Sequence, residues 1–278
     1  MTTRTLLACL LDEASAPMLS RAAARIAVQQ DAHLIGQHTL EAIIIYPGIA
    51  MHMDGEVYAA FHDKEAKTSE AIEAIFRKAA EAEGCLSEWR SVDAGTGLPA
   101  DRMIESARAC DMVIVGRPSR DETRSEQRFA IDQVIRGSGR PVLVIPDKGL
   151  GETLGKRAMI AHAGTRESAR AAFDLLPLLA PGAEVHVVHV GDEKDELRDW
   201  SMTELCAAIA RHGHKVTMAH RPHRGRSVAD TLIEVASEIG ADVIASGAYG
   251  HSRTYAFFLG ATTGGLLRDA PVPVLFSG

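Results

Sequence analysis

Gly247-Ala248-Tyr249-Gly250 is followed, nine residues later, by Gly260-Ala261-Thr262-Thr263, a G-x-x-G-x9-G-x-T pattern. These residue types suit one kind of chemistry, the holding of an anion. Glycine adopts positive φ cheaply and lets a ligand come close to the backbone. Consecutive amides at a loop or helix N-terminus point at phosphate oxygens. Thr262 and Thr263 add hydroxyl donors at the start of a short apolar helix around Leu266 and Leu267, and Arg253 adds positive charge. Spaced glycines alone fit a structural turn equally well. The place of the pattern, directly after the apolar strand Asp242–Ser246, favours the ligand loop.

Other candidates carry less. Eight of the twelve histidines lie after residue 156. His186 and His189 are three apart in a strand and so face opposite ways. His212 and His214 flank Gly213 and fit a helix C-cap turn. The stretch His220–Arg226, HRPHRGR, is the most basic of the chain. It reads either as a solvated polar loop or as a second anion contact at the ligand end of a sheet. No metal-ligand spacing is present, so no metal is expected. No G-x-S-x-G elbow and no GxxxxGK[ST] loop occurs, and no catalytic residue is assigned. Ser168 and Ser227 read as helix N-terminal residues, and Asp192–Glu196 as a solvated charge run.

The elements that must position the glycine pattern repeat within the chain. Cys110–Pro146 and Ala241–Ser277 each hold an apolar strand ending in glycine (Gly116, Gly247), a polar loop, a helical stretch and a Pro-Val-Leu strand. From Gly116 to Pro141 is 25 residues, and from Gly247 to Pro273 is 26. Upstream, Thr5–Asp12 and Ala158–Gly164 each open a half with a strand, followed by helices at Ser20–Gln30 and Glu167–Leu179 and strands at His33–Leu40 and Glu184–Val190. Such a long repeat means two copies of one domain. The glycine-rich segment Asp147–Lys156 separates them as a linker, giving domains 1–147 and 156–278. Each half runs strand, helix, strand and so on, with five strands and four helices between them. That predicts α/β architecture, with a five-stranded parallel sheet covered by helices on both faces. Ligands then sit beyond the C-terminal strand ends.

Two helices are legible by period. In Lys64–Glu83, Ile72, Ile75, Phe76 and Ala79 share a core-facing side, and in Ser201–Arg211 Leu205, Ala208 and Ile209 do so. Ile43–Phe61 reads as an inserted loop over the sheet edge, or as a lid or partner surface. The 278 residues carry a net charge of −7, which argues against nucleic acid as the main ligand. No apolar run approaches membrane-span length, and the N-terminus reads as a first strand and not a signal peptide. Four cysteines without CxxC spacing suit a reducing compartment, so the cytoplasm is expected.

The block DVIASGAYGHSRTYAFFLGATTGGLLRDAPVPVLFSG resembles the C-terminal block of the universal stress protein family. The whole chain resembles the family's tandem form, two such domains fused. The resemblance implies a flavodoxin-like, adenine-nucleotide-hydrolase-like fold. It also implies that the two halves pair their last strands, Pro141–Ile145 and Pro273–Phe276, antiparallel as a pseudo-dimer. Many members bind ATP through G-x-x-G-x9-G-(Ser/Thr). Carried onto this sequence, that implicates Gly247, Gly250, Gly260, Ala261, Thr262 and Thr263 in phosphate binding, with Ser246, His251 and Arg253 adjacent.

Departures from the family pattern are plain. Ala261 stands where Ser or Thr usually follows the third glycine. Ala163 stands where an Asp near the adenine is usual, whereas the first half keeps Asp12. The first half has lost the loop: Gly116-Arg117-Pro118-Ser119 has no second glycine, and Arg128-Phe129-Ala130 replaces the third. The implied function is a stress-response regulatory protein binding ATP, with or without magnesium, or a related adenine nucleotide in its C-terminal domain. An interaction or adaptor module without nucleotide and a slow ATP hydrolase are the alternatives. A protein partner of unspecified identity and a homodimer of the chain are compatible with each; nucleic acid and membrane are not expected.

Overall fold

A computed structural model describes residues 3–40, 55–118, 125–192, 196–249 and 260–278. The chain divides into two compact units, Thr3–Gly116 and Arg117–Gly278. The first holds β1 (Thr5–Cys9), α1 (Ala16–Gln30), β2 (His33–Leu40), α2 (Gly55–Glu83), β3 (Ser87–Asp93), α3 (Pro99–Ala107) and β4 (Met112–Gly116). Its strands are all parallel, in the order β3-β2-β1-β4. β1 and β4 are buried on both faces, which is why they read as unbroken apolar runs. β3, at one end of the order, is part-exposed and carries charge, as a sheet edge should. Gly36 on β2 has a packing reason: a Cβ there would lie 2.6 Å from the Phe76 ring, which rests on that bare stretch of backbone and against Trp89.

The second unit holds α4 (Ser125–Gly137), β5 (Val142–Ile145), β6 (Arg157–Ala161), α5 (Arg166–Leu175), β7 (Glu184–Val190), α6 (Glu196–Arg211), β8 (Lys215–Arg221), α7 (Val228–Glu238), β9 (Val243–Gly247), α8 (Ala261–Asp269) and β10 (Val274–Ser277). Its order is β5-β10-β9-β6-β7-β8. Every pair is parallel except β5 with β10, which run antiparallel with Leu275 opposite Leu143. The expected pairing of the two Pro-Val-Leu strands is therefore present. It also explains why the compact units divide at Gly116 while the sequence repeat divides at the linker: β5 belongs to the first copy but packs with the last strand of the second.

The shared order third-second-first-fourth strand bears out the repeated α/β reading. A matching aspartate sits before the fourth strand of each copy. Asp111 accepts hydrogen bonds from the Arg4 and Thr5 amides at 2.7 and 2.9 Å. Asp242 accepts from the amides of Gly155, Lys156 and Arg157 and from the Thr153 hydroxyl. Each carboxylate thus pins the entry of its copy's first strand.

Three expectations change. α2 begins at Gly55, so the end of the inserted stretch Ile43–Phe61 is helical; residues 41–54 lie outside the described residues. Its buried stripe is Ile72, Phe76 and Ala80, one turn apart, with Ile75 and Ala79 only part-buried. α6 starts at Glu196, so the end of the charge run is its first turn, where carboxylates favour the helix dipole. It buries Met202, Leu205 and Ile209, while Ala208 is only part-buried.

Candidate functional site

A cavity of about 500 Å³ opens at the C-terminal ends of β6, β7 and β9. Ala161, His162 and Ala163 line it from the end of β6, Val188–Val190 from β7, and Ser246, Gly247 and Tyr249 from β9. Arg198 reaches it from α6, and Val228 and Leu232 supply an apolar wall from α7. The N-terminal ends of α5 and α8 close it, through Thr165 and Ser168 and through Gly260–Thr263.

Those two helix ends are chemically unlike. α5 is capped by its own residues: the Ser168 amide donates to Thr165 Oγ1 at 3.3 Å, and the Thr165 amide donates to Ser168 Oγ at 3.1 Å. This reciprocal capping box satisfies first-turn donors from within. α8 has Gly260 as its N-cap, and no side chain among the described residues caps it. Its first amides face the cavity with the positive end of the helix dipole behind them. An anion suits α8 and not α5.

Of the residues singled out by sequence, Gly247, Gly260, Ala261, Thr262, Thr263 and Ala163 all line this one cavity. Gly250, His251 and Arg253 lie outside the described residues. The two described glycines differ in kind. A Cβ on Gly247 would fall 2.5 Å from the Ser168 amide nitrogen and 2.7 Å from the Glu167 carbonyl carbon. Gly247 is therefore needed for the close approach of α5 to β9. At Gly260 the nearest neighbour of a Cβ is Thr263 Oγ1 at 3.9 Å, so that space is open to a ligand.

The basic stretch His220–Arg226 does not join the cavity lining. Its charges meet carboxylates instead: Arg226 pairs with Glu234 at 2.6 Å, His223 with Asp192 at 2.8 Å, and His220 with Asp199 at 3.3 Å. The solvated-loop reading of that stretch fits.

Sequence reasoning missed the imidazoles at the cavity wall. His189 Nδ1 lies 2.9 Å from the His162 carbonyl, and Arg198 donates to His189 Nε2 at 2.9 Å. A ring that donates through Nδ1 and accepts at Nε2 is the neutral tautomer. Burial is the largest cause holding its pKa below the usual histidine value. His162 is driven further down, to about 4, by burial and then by His189, Arg198 and His220. The glycine pattern gives Tyr249 no role of its own. It takes a positive φ of 66°, donates its hydroxyl to Asp132 on α4, and carries the Arg136 guanidinium 3.7 Å over its ring. Burial and the Asp132 carboxylate raise its pKa. A tyrosine with positive φ costs energy, and the Asp132–Arg136 clamp holds it there. Nothing in a linear pattern links residue 249 to residue 132.

Residues 192–277 match the Universal stress protein family. That match runs from the end of β7 through β10 and includes the glycine pattern. No curated protein matches the chain. Among solved structures, a universal stress protein from Archaeoglobus fulgidus DSM 4304 is 18% identical and superposes with a TM-score of 0.73, over 99% of this chain and 96% of that chain. A putative universal stress protein from Pseudomonas aeruginosa UCBPP-PA14 is 19% identical, with a TM-score of 0.57, over 99% of this chain and 93% of that chain. At these identities the likeness is one of fold alone. It extends across both copies of the repeat, as the sequence resemblance led us to expect.

Proposed function

We propose that this chain is a stress-response regulatory protein of tandem universal stress protein type, with domains 1–147 and 156–278, and that its C-terminal copy binds ATP or a related adenine nucleotide. The observation that carries this reading is the N-terminus of α8, capped by no side chain among the described residues, facing a cavity of about 500 Å³ at the C-terminal strand ends. That volume suits a nucleotide-sized ligand. Thr262, Thr263 and the first α8 amides receive phosphate, and the Val228–Leu232 wall offers apolar contact for a base. Among the described residues the lining holds no carboxylate. Magnesium would therefore reach the site on the nucleotide's own phosphates, with no carboxylate ligand from these side chains. The same feature counts against hydrolysis, since no lining carboxylate is there to activate water.

Binding acts by shifting a conformational or partner-binding equilibrium. The adaptor reading has one observation of its own: Leu197 and Trp200 on α6 are 74% and 63% exposed. Among the described residues no helix is long and apolar enough to cross a membrane. All four cysteines are free thiols, which suits the cytoplasm.

The test is calorimetric titration of the full chain with ATP, with and without magnesium, against the Gly260→Val variant. Among the described residues a Cβ at Gly260 meets only Thr263 Oγ1 at 3.9 Å, an ordinary contact, and cooperative thermal unfolding checks that the variant folds. The proposal expects its ATP affinity to fall at least about tenfold, the loss of one good polar contact or more. Unchanged affinity in a folded Gly260→Val protein places the nucleotide elsewhere or nowhere.

A further inference from the structure

The two copies of the repeat differ at one buried position in a way that packing does not explain. In the first copy, the residue after β1 is Leu10, wholly buried, and the β2 residue His38 sets its Nδ1 2.7 Å from the Leu10 carbonyl. In the second copy, the residue after β6 is His162, and the β7 residue His189 sets its Nδ1 2.9 Å from the His162 carbonyl. Strand register makes the two places equivalent: Cys9 lies opposite Gln37 as Ala161 lies opposite Val188. The Leu10 amide bonds the Gln37 carbonyl as the His162 amide bonds the Val188 carbonyl. One backbone arrangement thus holds a leucine in the copy that has lost the glycine loop, and a histidine in the copy that keeps it.

His162 is 5% exposed and lines the cavity, and neither ring nitrogen has a hydrogen-bond partner among the described residues. A buried polar atom without a partner is costly, and one that faces a binding cavity is where a ligand's polar group belongs. The neighbours decide what kind of group. His189 stands beside it on β7, Arg198 and Asp199 on α6, and His220 on β8; the three basic neighbours oppose a proton on His162. The ring is neutral at pH 7, with one N–H to donate and one lone pair to accept. It offers nothing special to a phosphate, which the α8 amides already suit. It fits the uncharged part of a nucleotide, where donors and acceptors alternate.

We infer that His162 is a ligand contact that binds the nucleoside part of the nucleotide through a donor-plus-acceptor imidazole, while the N-terminus of α8 holds the phosphates. This rests on the nucleotide reading above. It divides the site in two, and the halves can be titrated apart.

The experiment uses the full chain as wild type, His162→Leu and His162→Gln, with ATP, adenosine, ribose 5-phosphate and tripolyphosphate as probes. Leucine already occupies the matching place in the first copy, so His162→Leu preserves the fold; thermal unfolding checks this. Glutamine keeps one donor and one acceptor. The expected result for His162→Leu is a loss of about 10- to 100-fold in ATP affinity, with tripolyphosphate within about twofold of wild type. His162→Gln recovers most of the ATP affinity. Adenosine binding that is lost in His162→Leu assigns the contact to the base end, and loss of ribose 5-phosphate binding assigns it to the sugar. Equal ATP affinity in wild type and His162→Leu overturns the inference and leaves the nucleotide reading standing. Equal losses for ATP and tripolyphosphate overturn it as well, because the ring would then serve the phosphates. Wild-type protein that binds neither ATP nor adenosine overturns both readings. An independent readout is the His162 imidazole nitrogen resonance in wild-type protein, which the inference expects to shift with ATP and not with tripolyphosphate.

Discussion

The segment after β9 and the segment after β4 hold the same place in two copies of one repeat, yet they are built for opposite ends. Thirteen residues beyond Gly247 stands Gly260, the N-cap of α8. Thirteen residues beyond Gly116 stands Phe129, already the fifth residue of α4. The extra turn takes amides that could face a ligand and commits them to the helix ladder. Directly after Gly116, the nearly buried Arg117 donates its guanidinium to the Ala270 carbonyl, where the second copy has Ala248. The first copy did more than lose glycines: its chain here starts a helix earlier and carries an arginine turned to the Ala270 carbonyl. α4 also takes on other work, because Asp132 and Arg136 hold Tyr249 in the loop of the second copy. The lesson is that one repeat can give up its glycine pattern and lend a helix that holds a residue of its twin's loop.

The contrast can be broken most violently at Gly247. Gly247→Val drives its side chain into the Glu167–Ser168 backbone. Urea denaturation is expected to show a loss of about 3 kcal/mol or more, as for other overpacked or backbone-strained sites. A stable Gly247→Val protein would mean that α5 can retreat from β9, and the glycine would then be a ligand position after all.

Acid should act next. His162 has a folded pKa of about 4 against an ordinary 6.5, so the unfolded chain takes up its proton first. Its contribution is complete above pH 6.5 and is lost as pH falls from 6.5 toward 4, on the order of 2–3 kcal/mol by linkage. His162→Leu should flatten that part of the stability-versus-pH curve, since Leu10 in the first copy does not titrate. An unchanged curve would move the acid sensitivity to His189 or another group.

Tyr249→Phe sharpens the comparison from the side of α4. Asp132 keeps Arg136, at 3.1 Å, and loses the tyrosine hydroxyl. The expected cost is about 1.5–3 kcal/mol, the range for a hydrogen bond to a charged group. Ligand affinity should fall as well, because Tyr249 lines the cavity. A loss of stability without any change in affinity would make the clamp purely structural.

The smallest effect belongs to the basic stretch. Arg226→Ala breaks a pair in which both partners are about half exposed, so stability should move by less than about 0.5 kcal/mol. Nucleotide affinity should not move. A clear loss of affinity would return that stretch to the site.

What the sequence made legible follows from range. The alternation of strands and helices, the repeat, and the pairing of Val142–Ile145 with Val274–Ser277 rest on local pattern and internal comparison, and they reappear in the structure. Gly247 and Gly260 were found by spacing, but spacing could not say that one is forced by α5 and the other by open space. That distinction lies in residues 167 and 168, eighty positions away in the chain. No linear pattern marks His162; only strand register, which makes it the counterpart of Leu10 in the first copy, makes it stand out. The boundary of α2 was missed because Gly55–Phe61 lacks the apolar period that marks the rest of that helix.

The most direct measurement is the stoichiometry of ATP binding to the purified full chain, first freed of any nucleotide carried through purification. The account predicts one site per chain, abolished by Gly260→Val in a protein that still unfolds cooperatively. Two sites, or one site that survives Gly260→Val, would contradict the division of labour between the two copies.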